Sequence, residues 1–544
     1  MRPNRRAMLL PLFLAFALSA CTLPPPSAET GNVTIVLTDS PGFAFDNAWV
    51  TVRAVWFHKV ETAPFDSTST GWLRFPLDPA MTLNLAALSG GTVRTVFDNL
   101  ALPPGTYRQL LLFLEPTENA LTPSAMANGL RFNNQVDAGS LRAALRVPNA
   151  AQGIRLAGPF QIDNAALLRL AVDFDIGHGV IPFNRGAVQE FILQPRLRAF
   201  DLDNAGAIVG FIDTAAAGDN TAFFEVLAEQ IDTTLGGRVV RRAAAVNNAT
   251  GRFVLYPLVP GTASTAYDIV IRGIGWQTTI VKTVPVNGGT TPGSGATVRG
   301  TAAKPIPMTP GIDFRIDGSI TATSGALAKF YQTLGTDAPY VIRQTNFDPL
   351  SGTIGNFPLA AGQVNVDTFN PTTYNGGTII LIGQTPTPAN GSYLLVAESP
   401  LYNPSASPSG GLPVNPSSAL SPFTITGLTP TSPAVPTNIN VTATVPFSVV
   451  PMDNVVLFAT FGGTILNALP LGNVPDATIL TNAVMNIPGG QSGSPFSLAF
   501  YGVSAYGWTT GADNVLRIGT PVPLAKPQTG DASVAFTIQK VTLP

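Results

Sequence analysis

The stretch TGRFVLYPLVPG (residues 250–261) recurs in pattern as SGTIGNFPLAAG (residues 351–362). In both copies the first glycine is followed by proline, leucine and a last glycine, at offsets of six, seven and ten residues. Each copy is typical of a hairpin turn, an apolar strand and a tight glycine turn into the next strand. Because the copies lie 101 residues apart, they indicate a repeated unit the size of one small sandwich domain.

Strand patterns also dominate the rest of the chain. LPPGTY (residues 102–107) carries the same Leu-x-x-Gly ending. Short β-branched or aromatic runs are bounded by Gly, Pro, Asn and Asp, as in Val33–Leu37, Trp49–Phe57, Tyr107–Leu114, Leu167–Phe174 and Phe191–Leu197. The sequence therefore predicts an all-β fold of tandem antiparallel β-sandwich domains. Helix is expected only in short segments, such as Leu85–Leu88 and Ala326–Tyr331.

Composition excludes two other classes of protein. The 544 residues include 52 Gly and 49 Pro, with 45% hydrophobic and only 11% charged residues. Disorder requires low hydrophobicity and high charge. A long helical or coiled-coil protein requires abundant Glu, Lys and Arg with little Gly or Pro. Folded, turn-rich β domains remain.

The first 21 residues, MRPNRRAMLLPLFLAFALSAC, have the layout of a secretory signal. Three arginines precede an apolar run, Met8–Leu18, and then small residues. That run is too short to span a membrane, which takes about 20 residues. Leu18-Ser19-Ala20-Cys21 resembles the bacterial lipobox. The resemblance implies a diacylglyceryl group on the sulfur of Cys21, cleavage before it and acylation of its amine.

Cys21 is the only cysteine of the chain, so no intrachain disulfide can form. Two or more acyl chains hold a protein stably on a bilayer, which makes Cys21 the expected membrane anchor. The alternative is an ordinary signal with a chance cysteine at its end. Thr22 in place of Asp resembles outer-membrane sorting, so we expect a cell-envelope location at the outer membrane. Residues 22–30 form a Pro-rich tether.

Composition shifts divide the remainder into four domains. We place them at residues 31–200, 201–300, 301–431 and 432–544, and the third contains a Pro/Ser-rich loop at 403–422.

Two of these domains resemble known families. VTIVLTDSP (residues 33–41), WVTV (49–52), LAVDFD (170–175) and FILQP (191–195), with the turn at 102–107, resemble the bacterial lipoprotein domain of unknown function 4382 (DUF4382) over residues 31–200. Through residues 206–210 and 250–261, the second domain is similar to the carboxypeptidase regulatory-like, transthyretin-type sandwich. Neither resemblance implies a catalytic residue set or a ligand.

The residues that catalysis needs are scarce. Two histidines, His58 and His178, lie 120 residues apart, and lipidation would consume the one thiol. The chain contains no H-E-x-x-H motif, G-x-S-x-G elbow or P-loop. We therefore predict that the protein is not an enzyme, with each histidine on a sheet face or in a loop.

Carboxylates give the one candidate metal site. Asp39, Asp46, Asp173 and Asp175 could supply oxygen ligands to Ca²⁺, and Asp173 and Asp175 would point the same way from a strand. The alternative is structural: Asp39 caps the turn at residues 38–41 through its side chain, and Asp175 sits at a strand end. No other cofactor is expected.

Basic and aromatic residues carry two further hypotheses. Arg238, Arg241 and Arg242 are the nearest approach to a basic cluster, but the chain beyond residue 21 carries 27 basic and 32 acidic residues. Nucleic-acid binding requires clustered cations, so a solvated turn or edge strand explains the three arginines better. Exposed aromatics could stack on sugars, although alternate aromatics in strands are usually core; the five tryptophans are Trp49, Trp56, Trp72, Trp276 and Trp508.

Three functions follow from these features. The leading hypothesis is a cell-envelope lipoprotein that acts as a non-enzymatic binding or adhesion module, with the lipid bilayer and an envelope protein or glycan as partners. The first alternative is a periplasm-facing structural scaffold. The second is an envelope glycan hydrolase, which could use a pair of aspartates.

Overall fold

The protein is described here from a computed structural model. It describes residues 30–541 except 41–44, 62, 64, 149, 186–187, 214–223, 233–236, 262–264, 321–325, 370–378, 387–392, 400–404, 407–420, 426–434, 445–451, 475–478, 490–500, 509–515 and 524–531. The leader, Cys21 and nearly all of the tether therefore lie outside the described residues.

The strands fall into four consecutive groups, which we call units 1 to 4. Unit 1 contains β1 (Gly31–Ser40), β2 (Asn47–His58), β3 (Leu73–Asn84), β4 (Arg94–Leu102), β5 (Gly105–Leu114), β6 (Gln135–Ala138), β7 (Leu141–Arg146), β8 (Ile154–Ile162), β9 (Leu167–Asp175), β10 (Val180–Arg185), β11 (Val188–Leu193) and β12 (Leu197–Asp201). Its helices are α1 (Pro123–Ala127), α2 (Ile176–Gly179) and a 3₁₀ turn, Ala86–Leu88.

In the other units, the described residues form strands and no helix. Unit 2 contains β13 (Gly206–Phe211), β14 (Phe224–Asp232), β15 (Gly237–Ala245), β16 (Arg252–Leu258), β17 (Tyr267–Gly273), β18 (Thr279–Val284) and β19 (Thr297–Arg299). Unit 3 contains β20 (Asp313–Ile320), β21 (Leu327–Gln332), β22 (Tyr340–Asn346), β23 (Thr353–Ala360), β24 (Val364–Thr368), β25 (Ile382–Gln384), β26 (Leu394–Glu398), β27 (Ser405–Ala406) and β28 (Ser421–Ile425). Unit 4 contains β29 (Val435–Thr444), β30 (Met452–Phe461), β31 (Thr464–Val474), β32 (Ile479–Gly489), β33 (Tyr501–Trp508), β34 (Leu516–Pro523) and β35 (Ala532–Val541).

All four units share one strand topology. The opening strand (β1, β13, β20 or β29) pairs antiparallel with one strand of its unit and parallel with a late strand, β9, β19, β28 or β35. The next strand lies between two antiparallel neighbours in the other part of the sandwich. Unit 1 adds β6, β7, β10 and β11 to one sheet and β12 to the other. The predicted all-β tandem fold is confirmed, and the parallel pair arises because a late strand returns beside the first.

The sequence repeat marks equivalent places in units 2 and 3. Gly251 and Gly352 have φ of +70° and +65°. A Cβ at either position would come within 2.2 Å of the Ile212 carbonyl oxygen or 2.4 Å of that of Ile320. Only glycine fits such a left-handed turn pressed against a neighbouring strand. The repeat is therefore a tight turn leading into β16 and β23. The predicted turn and strand are present, but the predicted hairpin is wrong, because β15 and β16, like β22 and β23, belong to different sheets.

The Leu-x-x-Gly ending marks a second shared feature, a buried tyrosine. The hydroxyls of Tyr107, Tyr267 and Tyr393 donate to the carbonyls of Pro103 at 2.9 Å, Val259 at 2.8 Å and Ala360 at 2.8 Å, each one residue after the motif leucine. All three side chains are buried. Burial raises the pKa of each hydroxyl, that of Tyr267 to about 12. The hydroxyls therefore stay protonated and can act as donors.

Two local features differ from the sequence expectation. The segment Ala326–Tyr331, predicted as helix, lies largely in β21, because pairing with β22 and β26 on both sides overrides its helix propensity. The predicted helix near Leu85–Leu88 is present as the 3₁₀ turn. Between its motif glycine, Gly362, and Tyr393, unit 3 inserts β24 and β25, which extend the sheet of unit 2 through parallel pairing of β24 with β18.

Among the described residues, no helix is long and apolar enough to cross a membrane.

The units pack against one another through apolar clusters. Val36 and Ala171 of unit 1 join Val209 and Val254 of unit 2 in one cluster. A second joins strands β10 and β11 to β30, β31 and β33. The largest cluster runs from the sheet of unit 2 through unit 3 into unit 4. Burial on this scale makes the four units a single packed body.

Replacing Tyr267 with Phe tests the shared tyrosine contact. Loss of a buried hydrogen bond should lower the local free energy of opening of β16 and β17 by about 1–2 kcal/mol. Native-state hydrogen exchange of peptides from these strands measures this value. Tyr256→Phe is the matched control, since its hydroxyl makes none of the hydrogen bonds found among the described residues, and its change should stay within about 0.5 kcal/mol. Equal effects would contradict a specific role for the Tyr267 hydroxyl.

Candidate functional site: the junction of the four units

Three of the four predicted aspartates meet at one edge of unit 1. Strands β1 and β9 run parallel, with Thr38 opposite Asp173 and Ser40 opposite Asp175. Asp39, Asp173 and Asp175 are all buried there. The structure therefore brings these carboxylates together at the carboxyl ends of neighbouring strands.

Asp46 is not part of this group. It is exposed, and its Oδ2 accepts from the backbone N–H of Gly139, 2.7 Å away in the turn between β6 and β7.

The structural alternative for Asp175 is confirmed, because it ends β9 and caps α2 by accepting from the N–H of His178 at 3.3 Å. Asp39 Oδ1 instead accepts from the N–H of Ile176 at 3.2 Å; Pro41 of the expected turn lies outside the described residues.

The positive charge facing these acids comes from unit 2. Arg242, on β15, forms an ion pair with Asp173 and donates from Nη2 to the carbonyl oxygen of Asp39 at 2.7 Å. Its side chain is only 2% exposed. The expected edge strand is confirmed, since β15 is the outer strand of its sheet. The expectation that the three arginines are solvated is wrong for Arg238 and Arg242, which are buried with Asp268 and Asp173.

Burial dominates the ionisation of this cluster. It raises the pKa of Asp39 well above the usual value, and repulsion from Asp173 adds to the effect. Burial also raises the pKa of Asp173, against the attraction of Arg242. Burial therefore favours a proton on Asp39 most strongly, while Arg242 favours the ionised form of Asp173.

Calcium binding stays a prediction. Among the described residues, no group of three or more His, Cys, Asp or Glu is arranged to hold a metal ion. Arg242 supplies a cation at the position where the sequence alone suggested Ca²⁺.

His178 forms a second inter-unit contact. Its Nδ1 lies 2.9 Å from Asp175 Oδ1, and its Nε2 lies 3.7 Å from Glu225 Oε1 of unit 2. Burial alone would lower the pKa of His178, but Asp175 and then Glu225 raise it overall. Burial would raise the pKa of Asp175, yet the His178 charge and hydrogen bond, with help from nearby arginines, lower it to about 2. The two carboxylates on either side therefore favour the imidazolium form of His178.

The two histidines have different outcomes. His58 ends β2 and contacts the backbone of Val60, as expected for a sheet residue. For His178 that expectation is wrong, because it lies buried in α2. Its ring is 3.2 Å from Gln344 Nε2, and its carbonyl accepts from Asn346 Nδ2 at 2.5 Å, both in unit 3. This residue thus links units 1, 2 and 3.

The segment 194–198 of unit 1 reaches the other three units. Gln194 exchanges hydrogen bonds with the backbone of Ile465 in unit 4. Arg196 donates to Asn346 Oδ1 of unit 3 at 2.8 Å, and Arg198 to the carbonyl of Arg241 in unit 2 at 2.5 Å.

A cavity of about 330 Å³ lies beside this segment. All four units line it: Asp175 and residues 195–198 from unit 1, Val239 and Val240 from unit 2, Lys329, Gln344 and Glu398 from unit 3, and Gly462 and Thr464 from unit 4. We call this the junction cavity. It is the candidate binding site of the protein.

The tryptophans mostly belong to apolar clusters. Trp72 and Trp276 are buried, which confirms the core interpretation for them. Trp56 is half-buried and stacks on Phe65, with ring centroids 5.7 Å apart. Trp49 is half-buried and donates to Asp137 at 3.1 Å. The side chain of Trp508 lies outside the described residues.

Replacing Arg242 with Met tests the buried ion pair. Asp173 would be left buried without its cation, which costs about 3–5 kcal/mol of unfolding free energy. Adjacent Arg241 is the matched control: its pair with Asp232, at 3.1 Å, is partly exposed and contributes less than about 1 kcal/mol. Urea unfolding of Arg242→Met and Arg241→Met measures both. Adding Asp173→Leu to Arg242→Met should recover much of the loss, and equal stability of the two single variants would contradict the assignment.

The charge on His178 predicts a pH dependence of stability. Its folded pKa is raised above 6.5, so its contribution is fully present below pH 6.5 and is lost as pH rises through the folded pKa. His178→Gln should remove that loss and destabilise the protein at lower pH. His58 has a pKa lowered by burial, so His58→Gln removes a contribution of opposite sign. Urea unfolding from about pH 5 to 9 measures both; an unchanged profile for His178→Gln would refute the assignment.

The first unit matches a known family. The family model described as "Domain of unknown function (DUF4382)" matches residues 30–195, which confirms the resemblance predicted for the first domain. No curated protein has significant sequence similarity to the chain. The resemblance of the second domain to carboxypeptidase regulatory-like sandwiches stays a prediction.

Several solved structures are weakly similar in fold. The TIE protein of Bacillus anthracis is 9% identical, with 92% of this chain and 69% of that chain covered and a TM-score of 0.14. Two B repeat units of the collagen binding protein of Staphylococcus aureus are 7% identical, with 94% and 100% covered and a TM-score of 0.12. The pilus adhesin SpaC of Lactobacillus rhamnosus GG is 7% identical, with 92% and 57% covered and a TM-score of 0.14. At these TM-scores the similarities say nothing about function.

Proposed function

We propose that the protein is a cell-envelope lipoprotein, anchored through Cys21 at the outer membrane, that acts as a non-enzymatic binding module. The observation that carries the binding role is the junction cavity, whose lining comes from all four units. Because its lining comes from four units, this site exists only when all of them are packed together. The tandem arrangement would therefore build the binding site. The anchor rests on the leader pattern and the position of the only cysteine.

The chemistry of the junction supports binding over catalysis. Arg242 neutralises Asp173, and His178 lies between Asp175 and Glu225. Arg242 and Glu225 belong to unit 2 and the other three groups to unit 1, so these pairings stabilise the contact between the two units. A glycan hydrolase would need a carboxylate pair free to donate and accept protons, whereas Asp175 is held ionised by His178.

A periplasm-facing scaffold is the second candidate. It is favoured by the apolar clusters that join unit 1 to units 2 and 4, since a rigid body of this kind could hold envelope partners at fixed positions. The two candidates differ in which side of the outer membrane the distal units face.

Replacing Cys21 with Ala tests the anchor. The wild type should fractionate with membranes and the variant with soluble protein, because burial of acyl chains contributes about 0.8 kcal/mol per CH₂. Immunoblots of separated fractions measure this distribution, and Thr22→Ala is the matched control that should stay membrane-bound. Membrane retention of Cys21→Ala would contradict the lipid anchor.

Protease treatment of intact cells distinguishes the two candidates. Release of peptides from units 3 and 4 while the membrane stays sealed would support surface binding. Release only after permeabilisation would support the periplasmic scaffold. Mass spectrometry of the released peptides provides the measurement.

A further inference from the structure

We infer that the junction cavity binds a small oxyanion, a carboxylate or phosphate carried by a molecule no larger than a monosaccharide. This names the ligand class of the proposed binding module, and its physiological meaning rests on that proposed function. The binding itself can be measured on purified protein wherever the protein is anchored.

The lining of the cavity has excess positive charge. Four basic residues, Arg155, Arg196, Arg198 and Lys329, and the two acids Asp175 and Glu398 line it, a balance of +2. The two acids already have cations: Lys329 Nζ lies 2.5 Å from Glu398, and His178 Nδ1 lies 2.9 Å from Asp175. The excess therefore resides on the arginines of the lining.

Arg196 and Arg198 are the arginines best placed to hold an anion. They are two residues apart where the chain enters β12, so their side chains leave the same face of an extended segment. Their hydrogen bonds among the described residues go to neutral oxygens only: the carbonyls of His178 and Arg241 and the amide of Asn346. Neither lies within ion-pair distance of a described carboxylate.

Both arginines have N–H groups that these hydrogen bonds do not use. A guanidinium carries five N–H donors in a planar fork that matches the two oxygens of a carboxylate or phosphate. Arg196 uses two of these donors and Arg198 one in the hydrogen bonds above. Burial lowers the pKa of Arg196, although Asp175 and Glu398 act against this. An anion in the cavity would offset the cost of holding this charge away from water.

The rest of the wall suits the carbon skeleton of a small polar molecule. Ile154, Val239 and Leu327 supply apolar surface, and Gln344 and Thr464 supply polar groups. A volume of about 330 Å³ is near the lower end of small-molecule sites. Because the lining comes from four units, a bound anion would also stabilise their packing by mass action.

Calorimetry and thermal unfolding of the full mature-length chain, carrying Cys21→Ala for solubility, test the inference. The probes are glucuronate, glucose 6-phosphate and inorganic phosphate, with neutral glucose as the comparison, all at constant ionic strength and neutral pH. We expect at least one anionic probe to bind saturably, one per chain, with a dissociation constant below about 1 mM. That probe should raise the melting temperature, and glucose should not.

Variants locate the site. Arg198→Gln should weaken binding about tenfold or more, the effect of losing a charge-assisted hydrogen bond. Arg241→Gln is the matched control, because the Arg241 side chain pairs with Asp232 and does not line the cavity. If Arg198→Gln fails to fold, Val239→Phe provides a second variant that fills the cavity without changing charge, and it should also abolish binding.

Two results would overturn the inference: no saturable binding of any anionic probe, or binding that both Arg198→Gln and Val239→Phe leave intact. Neither result bears on the lipid anchor, which the Cys21→Ala fractionation tests separately. Conversely, a chain that never reaches the envelope could still bind the anion. Failure of this inference and failure of the proposed location are therefore distinguishable.

Discussion

Buried charge at the junction is the constraint on which the packing of units 1 and 2 depends, and units 3 and 4 pack around that pair. Asp173 and Asp175 lie away from water in unit 1, and their cations are Arg242 of unit 2 and His178, which in turn needs Glu225 of unit 2. A buried charge without a partner costs several kcal/mol. The units can therefore pack in only those arrangements that bring each charge to its partner, while apolar burial supplies most of the free energy of contact.

This constraint connects the fold to the proposed role. The shared sandwich topology builds each unit from local hairpins and one returning strand, and the tyrosine contact ties a loop to the core in units 1, 2 and 3. The packed units then line a cavity to which each of them contributes residues. Charged residues are rare in this chain, at 11% of the sequence. Four basic residues around one cavity are therefore a notable concentration of positive charge.

The parts of the structure that depend on local pattern could be predicted from the sequence. The glycines at 251 and 352 predict the two turns. The spacing of Asp173 and Asp175, two residues apart in a strand, predicts that their side chains lie on the same face. The partner of Asp173 could not be predicted, because Arg242 belongs to another unit and no local pattern encodes a contact between units. The arginine cluster at 238–242 was the available signal, but sequence cannot separate a buried edge strand from a solvated one. Arg196 and Arg198 left a weaker signal, two charges at alternate positions of an apolar strand.

Small-angle X-ray scattering of the unlipidated chain tests most directly whether the four units form one body around this junction. A compact body of this length should have a radius of gyration of about 24 Å. The packed arrangement predicts a value close to this at neutral pH, and a larger one for Arg242→Met. A wild-type radius of about twice that size would describe four units arranged end to end, and would contradict both the junction and the cavity formed there.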